Sequence, residues 1–267
     1  MKSCFSVFGE NISFEYFARD GLCEHLSCDH CHDKYEITYL ISASGSCLVE
    51  GQEINLTDGT FTLITPMSYH KVSFDDEKNT EGYTIYFSRG AMPEGIASVL
   101  DAILSDTSSF GLVYSRKKLS DTLISVFDRF EEAKKLSKTE RQIYMQALLS
   151  EIIILLSACE GEAIEACEDE LGAKVAAYIN SNIERSISLE RLARRFFVSK
   201  YYLCRAFKSY AGISPHAYIN HKRILHAKRL IESGLTAAGA AERVGFGDYS
   251  AFYRAYTKIV GKSPTSE

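Results

Sequence analysis

Residues 187–208 read ISLERLARRFFVSKYYLCRAFK, and this stretch decides the fold of the C-terminal part of the chain. Ser188 and Ser199 each precede a run whose apolar residues recur at helical spacing, and a serine hydroxyl there can accept a hydrogen bond from an unpaired backbone N–H. The second run has one apolar face, and its other face carries cations and a tyrosine: Lys200, Tyr201, Arg205 and Lys208. Two short helices joined by a break, the second displaying cations, predict a helix-turn-helix.

The two parts of the chain carry opposite charge. From Leu171 onward there are 16 Lys and Arg residues against 6 Asp and Glu, a net charge of +10, whereas the residues before it hold 14 against 29, a net charge of −15. A length of 267 residues is enough for two domains, each with its own core. A basic C-terminal part on an acidic chain predicts a polyanion-binding module carried by a domain that does not bind polyanions.

Neither end of the chain has an apolar run long enough to span a bilayer, and Met1 to Asn11 lack the pattern of a secretory signal. The eight cysteines show no even framework spacing, which favours reduced thiols over disulfide bonds. We therefore expect a cytoplasmic protein that does not associate with a membrane.

Short apolar and aromatic runs from Tyr35 to about Phe87 are separated by Gly, Asp, Asn and Ser, and this spacing predicts a small antiparallel barrel or double-sheet roll. Three segments, together with Gly45, resemble the cupin-type sensor half of AraC-family transcription regulators: HCHDKYEI (30–37), GQEINLTDG (51–59) and LITPMSYH (63–70). The resemblance implies a cupin-like β-barrel, a double-stranded β-helix, over about residues 20–90.

Two amphipathic segments, KKLSDTLISVFDRFEEAKKL (117–136) and TERQIYMQALLSEIIILLSA (139–158), predict a helical pair over about 115–158. In proteins resembling this family such helices commonly supply a dimer surface, and plain packing against the barrel is the alternative. Residues 159–170 contain six acidic residues and no strong apolar period, so we interpret them as an acidic linker, partly helical at most. Residues 1–158 are then the ligand-sensing and dimerisation domain.

The C-terminal region resembles the AraC-type DNA-binding domain over nearly its full length. Residues that fit the family pattern occur in both halves: Leu192-Ala193, Val198-Ser199, Tyr202-Leu203, Arg205, Gly212, Ser214-Pro215, Arg223, Val244-Gly245-Phe246, Asp248, Phe252, Arg254, Gly261 and Ser263-Pro264. The resemblance implies an all-α double helix-turn-helix domain over 171–267, with units at about 188–211 and 236–261 joined by a connecting helix at about 215–233. Each unit would place one helix in the major groove, and the whole chain would be an α+β protein.

The matched positions give candidates for contact with DNA bases: Tyr201, Cys204 and Arg205 in the first unit, and Tyr249, Ser250 and Arg254 in the second. Lys208 and Lys258 are expected to meet phosphates, and Lys200 completes the set of DNA-binding candidates. Alternatively, the two arginines contact the DNA backbone or form an ion pair with a nearby acidic residue. The tyrosines would then pack against a neighbouring helix.

The second unit departs from the family pattern. Gly239 and Ala240 stand where a larger residue usually anchors the first helix of the unit, and Thr257 stands where a lysine is common. A glycine within a helix costs about 0.5 to 1 kcal/mol relative to alanine. We therefore expect the second unit to be looser and to bind DNA more weakly.

The N-terminal part holds a second group of chemically active residues: His30, His32, Glu36 and His70. The two histidines at 30 and 32 would face the same way on a strand. Three imidazoles and a carboxylate are what metal-binding cupins use, and such a set could hold Fe, Mn, Ni or Zn. We favour two roles for these four residues: contact with a small ligand, which Tyr39 would also touch, or a structural role in the barrel wall. No cofactor is expected, and a bound divalent metal is the alternative.

Cys23, Cys28 and Cys31 interleave with His25, His30 and His32, which suggests a zinc- or redox-responsive cluster as a further alternative. Their spacing lacks the paired C-x2-C arrangement of a strong zinc site, so buried or surface thiols are the preferred interpretation.

These patterns predict a sequence-specific DNA-binding transcription regulator, not an enzyme, controlled by a small-molecule effector bound in the barrel. Because many members of the family it resembles regulate carbohydrate uptake and breakdown, we expect the effector to be a sugar. The implied partners are double-stranded DNA, the effector, a second copy in a homodimer, and RNA polymerase. The competing class is a cupin-type isomerase or dioxygenase fused to a DNA-binding domain, and it is disfavoured because no catalytic base accompanies the four ligand candidates.

Overall fold

The computed structural model describes residues 4–18, 31–76, 79–105, 109–165, 171–185 and 187–265. The chain divides into two compact units, residues 1–166 and 167–267. The first is built mainly from strands and the second from helices, which confirms the predicted α+β class. Among the described helices, none combines the length and the apolar character needed to cross a membrane.

The first unit contains two antiparallel sheets. Its described strands are β1 Phe5–Phe8, β2 Ile12–Ala18, β3 Tyr35–Ser42, β4 Gly45–Val49, β5 Gln52–Leu56, β6 Phe61–Ile64, β7 His70–Phe74, β8 Glu81–Phe87, β9 Ser109–Tyr114 and β10 Glu162–Glu165. The larger sheet has the order β1-β2-β8-β3-β6-β9-β10, and the smaller has the order β5-β4-β7.

Alternation along each strand gives the larger sheet two different faces. On β3, Ile37 and Tyr39 belong to the core formed with the helices of this unit. Leu40 belongs to a second apolar cluster, together with residues of the smaller sheet such as Val49 and Leu56. Because Glu36 shares the face of Leu40, its carboxylate lies in the space between the two sheets, which we call the interior of the barrel.

Three helices cover the outer face of the larger sheet: α1 Glu94–Ile103, α2 Asp121–Arg129 and α3 Lys138–Leu156. Helices α2 and α3 lie within the expected helical pair. Ser137 starts α3 with a capping box, in which its side chain accepts from the backbone N–H of Glu140 and the Glu140 side chain accepts from the backbone of Ser137. The buried face of α3 includes Leu148, Leu149 and Ile152.

Two of the predicted ranges in this unit, those of the barrel and of the linker, are wrong. Strands β1 and β2 precede the expected start of the barrel near residue 20, and β9 and β10 extend its sheet beyond residue 90. The range 159–170 is not linker throughout, because β10 pairs with β9. Its acidic residues Glu162 and Glu165 are exposed while Ile164 is 1% exposed and packs in the interior cluster, so the strand is amphipathic rather than uniformly acidic.

The second unit contains six described helices: α4 Leu171–Ser181, α5 Leu189–Arg195, α6 Lys200–Ala211, α7 Pro215–Glu232, α8 Ala237–Arg243 and α9 Tyr249–Val260. Five of them begin at a side chain that accepts from the first-turn backbone: Ser188, Ser199, Ser214, Thr236 and Asp248. Gly212 ends α6 with a φ of +78°, a conformation that favours glycine. These local signals place the helices where the sequence predicts them.

Arg223 on α7 ties the parts of this unit together. Its buried guanidinium donates to the backbone oxygens of Ile183 at 3.2 Å, Arg185 at 2.7 Å and Gly245 at 3.1 Å. The first two carbonyls lie between α4 and α5, and the third lies in the turn between α8 and α9. Gly245 has a φ of +81°, and a Cβ there would come within 2.9 Å of Nη2 of Arg223.

Gly239 and Ala240, on which the expectation of a looser second helix-turn-helix unit rests, are closely packed in the structure. Ala240 is fully buried in a cluster with Ile224, Val244, Phe252 and Tyr256. A Cβ at Gly239 would lie 3.1 Å from Oγ1 of Thr236, the side chain that caps α8. Small residues therefore permit close packing here.

We predict that Arg223→Met lowers the free energy of opening of α7 by up to about 3 kcal/mol, because three backbone carbonyls lose a hydrogen bond of about 1 kcal/mol each. Native-state hydrogen exchange of α7 amides in the full-length chain measures this. Arg229→Met is the matched control, since Arg229 lies on the same helix and is exposed. Equal effects of the two variants would contradict the role of Arg223.

Candidate functional site

Helix α6 presents the predicted cations and Tyr201 to solvent. Tyr201 is 78% exposed, and Arg205 and Lys208 are also exposed. Leu203 and Phe207 are fully buried on the opposite face, so packing fixes the orientation of the helix. Cys204 is half-buried at the edge of the exposed face.

Lys200, the first residue of α6, has a partner within the protein. Its Nζ donates to Oε1 of Glu190 on α5 at 2.6 Å. This hydrogen bond raises the pKa of Lys200 and lowers the pKa of Glu190. In contrast, neither Arg205 nor Lys208 has an ion-pair partner within the described part of the chain, so both are available to an external anion.

Helix α9 repeats this arrangement. Tyr249, Ser250, Arg254 and Lys258 are exposed, while Phe252 and Tyr256 are buried. The carboxylate of Asp248 accepts from the backbone N–H groups of Ser250 at 3.2 Å and Ala251 at 2.8 Å, which anchors the start of the helix.

Three exposed aromatic residues near these helices are missing from the sequence-based candidates: Phe197, Tyr202 and Tyr253. Tyr202, on α6, is 48% exposed. Phe197, in the turn between α5 and α6, is 95% exposed and has a φ of +55°, an unfavourable conformation for a bulky residue. Tyr253, on α9, is 41% exposed. The break at Phe197 was visible in the sequence, but its exposure depends on the backbone of the turn.

In the first unit, Glu36 joins the two sheets through a hydrogen-bonded cluster. Oε2 of Glu36 lies 2.9 Å from Nε2 of His32 and 3.1 Å from Nε2 of His70. Because His70 is on the smaller sheet and Glu36 on the larger, the second contact crosses the interior of the barrel. Glu36 and His70 are almost completely buried, whereas the His32 side chain is 19% exposed.

A row of polar residues continues from Glu36 across the larger sheet. Thr38 donates from Oγ1 to Oε1 of Glu36 at 3.0 Å and lies 3.2 Å from Oγ1 of Thr84. Thr84 is directly opposite Glu15 in the β2–β8 pairing. Glu15 is 6% exposed, and its Oε2 accepts no hydrogen bond from the described residues. The sequence analysis did not identify Glu15, although the alternation of ISFEYFA places it opposite the apolar face of β2.

The remaining candidate residues of the N-terminal unit do not join this cluster among the residues that the structure describes. Tyr39 does not face the interior, as expected of an effector contact, because it lies one residue from Thr38 and so on the opposite face of β3, where its ring is 5.7 Å from that of Phe127. Its burial raises the pKa of the hydroxyl. His30, Cys23 and Cys28 lie outside the described residues, and Cys31 is a buried thiol that forms no disulfide.

The ligand atoms of His32, Glu36 and His70 lie within 4.8 Å of one another. Two imidazoles and one carboxylate can hold a divalent metal of the first transition row. The same atoms can also bind hydroxyl groups of an organic ligand, because a carboxylate accepts and an imidazole either accepts or donates.

Comparison with known proteins agrees with the two-unit architecture. Residues 16–149 match the family model of the AraC-like ligand binding domain, and residues 192–266 match that of a helix-turn-helix domain. The first match alone covers half of the chain.

Several known proteins are similar over most of the chain. The uncharacterized HTH-type transcriptional regulator YbfI of Bacillus subtilis is 26% identical over 229 residues, which cover 83% of this chain and 80% of YbfI. The HTH-type transcriptional activator RhaS of Enterobacter sp. (strain 638) is 22% identical over 88% of this chain and 85% of RhaS. The crystal structure of ToxT from Vibrio cholerae O395 aligns with a TM-score of 0.41 and 13% identity over 98% of this chain and 94% of ToxT.

The cupin-type enzyme considered above is therefore set aside, because the proteins similar over most of the chain are transcriptional regulators. The chain belongs to the AraC family of DNA-binding transcriptional regulators and carries the ligand-binding domain of that family.

Proposed function

We propose that helices α6 and α9 read bases in successive segments of the DNA major groove, and that a polyhydroxylated effector such as a sugar binds in the interior of the barrel to control this reading. The observation that carries the proposal is the buried polar row from Glu36 to Glu15, which faces the interior instead of solvent. Contact of the DNA-bound chain with RNA polymerase and a cytoplasmic location stay predictions.

The exposed faces of α6 and α9 support the assignment of roles. Arg205 and Arg254 project from the middle of each helix, and a guanidinium can donate twice to a guanine. Lys208 and Lys258 stand nearer the C-terminal ends, where a flexible ammonium suits a phosphate. Tyr201, Cys204, Tyr249 and Ser250 stand beside the arginines as further base contacts.

We predict that Arg205→Ala weakens binding to a selected DNA site by about 1–3 kcal/mol and relaxes sequence preference at one position. Arg254→Ala should cost less, because the second unit has Thr257 in place of a lysine. Fluorescence anisotropy on a site selected from random duplexes measures both losses. Lys208→Ala is the control for a backbone contact and should weaken binding equally on all sequences. Equal losses from the two arginine variants would contradict the weaker second unit.

The chemistry of the interior favours a neutral ligand with several hydroxyl groups. The carboxylates of Glu15 and Glu36 accept hydrogen bonds, and hydroxyl groups donate them. A small acid would instead meet these two carboxylates at short range, which is unfavourable where water is excluded. The hydroxyl groups of Thr38 and Thr84 lie between the carboxylates and extend the polar row.

We predict that a sugar raises the unfolding temperature of the full-length chain, and that Glu15→Gln weakens sugar binding about tenfold through loss of a charge-assisted hydrogen bond. A thermal-shift screen with sugars, small acids and divalent metals provides the measurement. Glu53→Gln is the matched control, because Glu53 is exposed on β5. Stabilisation by a small acid alone would contradict the proposal.

A metal-responsive regulator is the second candidate, and it is favoured by the convergence of His32, Glu36 and His70. In that case a divalent metal, and no sugar, would stabilise the chain, and the effect would disappear in a His32→Ala, His70→Ala variant. The thiol-responsive alternative rests on Cys23, Cys28 and Cys31, of which the structure describes only Cys31, a buried thiol.

We also propose a homodimer formed through α3. Ile143 and Ile154 on this helix are 61% and 47% exposed, and Ala147 between them is exposed as well. Positions separated by four and seven residues lie on one stripe of a helix, which is the spacing of a helix-to-helix seam.

We predict that Ile143→Lys combined with Ile154→Lys converts a dimer into a monomer, because each lysine would be buried without a counter-charge in the seam. Light scattering coupled to size exclusion measures the mass. Thr122→Lys on the exposed side of α2 serves as the control. A wild-type chain that is monomeric at micromolar concentration would contradict the proposal.

A further inference from the structure

A groove lined by cations lies between α4 and α5, and its lining includes none of the residues assigned to DNA reading. It consists of two hollows of about 540 and 320 Å³ that share Tyr178, Asn182, Arg185 and Arg195. Lys174 lines the larger hollow, and Arg191 and Ile187 line the smaller one. Four of the lining residues that the structure describes are therefore basic, and none is acidic.

The groove follows from helical spacing. On α4, Lys174 and Tyr178 are four residues apart and lie on one stripe, which Asn182 continues beyond the helix end. On α5, Arg191 and Arg195 form the facing stripe. Cζ of Arg195 lies 4.4 Å from the centroid of the Tyr178 ring, so a cation–π contact holds the two walls together.

Two acidic side chains that flank groove residues in sequence, Glu184 and Glu190, contact cations outside the groove. Glu184 lies 3.3 Å from Nε of Arg243 and 3.7 Å from Nε2 of His226. Glu190 pairs with Lys200. The positive charge of the groove is consequently not cancelled by these two carboxylates.

We propose that this groove binds the sugar-phosphate backbone of DNA beside the segment read by α6, an inference that rests on the proposed reading of DNA by that helix. Arg191 belongs to the same helical turn as Glu190, whose carboxylate holds the first residue of α6. Helix α5 thus carries one wall of the groove and also the partner of the first residue of α6. Duplex DNA carries one negative charge per about 1.7 Å of its axis, so a backbone passing α6 presents phosphates to neighbouring cations.

An acidic surface of a protein partner is the competing occupant. DNA is favoured because the groove is lined by four cations and no acidic side chain among the described residues, and because α5, which forms one wall, is held to the reading helix by the Glu190–Lys200 pair. A contact with the DNA backbone can also be measured separately from base recognition. Phosphate binding releases counterions, so its affinity depends on the salt concentration and does not depend on the base sequence.

The test uses the full-length chain and a short DNA duplex of mixed sequence, so that no operator needs to be known. Anisotropy titrations over a range of salt concentrations give the slope of log affinity against log salt. For Arg185→Gln combined with Arg195→Gln, we expect the magnitude of the slope to fall by about 1.8, because each of the two lost phosphate contacts contributes about 0.9. The loss of affinity should be the same on a second, unrelated duplex.

Two controls separate charge from structure. Arg229→Gln removes an exposed cation from α7 outside the groove and should leave the slope unchanged. Arg185→Lys combined with Arg195→Lys keeps both charges and should retain most of the slope. If the double glutamine variant loses helical circular dichroism, the single Arg185→Gln variant replaces it, with an expected fall of about 0.9.

The failures of the two proposals are distinguishable. A wild-type chain that does not bind duplex DNA would overturn the proposed reading and the groove together. Wild-type binding with an unchanged slope in the glutamine variants would overturn the groove alone. An unchanged slope accompanied by loss of transcription activation would assign the groove to a protein partner and equally overturn the DNA-backbone proposal.

Discussion

The buried guanidinium of Arg223 is the interaction on which the DNA-binding unit depends. It satisfies three backbone carbonyls that come from both halves of the unit, and each would be costly to leave without a donor. Burial lowers the pKa of the guanidinium, yet arginine is the side chain that stays charged in such a site. Because α7 has 18 residues and rises about 1.5 Å per residue, it spans about 27 Å. Helix α7, which connects the two helix-turn-helix units, therefore sets the separation of the reading helices α6 and α9.

The sensor unit relies on a comparable contact across its interior. Glu36 meets His32 and His70, and only the second of these contacts connects the two sheets. A ligand that binds Glu36 must compete with one imidazole or rearrange both, so its binding changes the contact between the sheets. This gives an effector differential contacts in two states of the barrel, which is the requirement for a ligand to shift a population.

Local sequence signals predicted the helical unit well, because caps and turn glycines act within a few residues. Ser188, Ser199 and Gly212 are placed as expected for this reason. Long-range pairing was not predictable in the same way: β10 is a strand because β9 lies beside it, and its acidic residues concealed Ile164. Likewise, Glu15 becomes part of the candidate site only when the register sets it opposite Thr84. Ala240 is expected to anchor its helix poorly because it is small, but in the structure it is fully buried and packs closely against its neighbours.

The proposed reading helices belong to the C-terminal unit, and the proposed effector site belongs to the N-terminal unit. The central claim is that α6 and α9 both enter the major groove of one DNA site. Protection of guanine N7 from methylation, on a site selected by the full-length chain, tests it most directly. The account predicts two protected segments on one face of the duplex, about one helical turn of 10 bp apart. A single protected segment, or no protection of guanine N7 at a site that the chain binds, would contradict it.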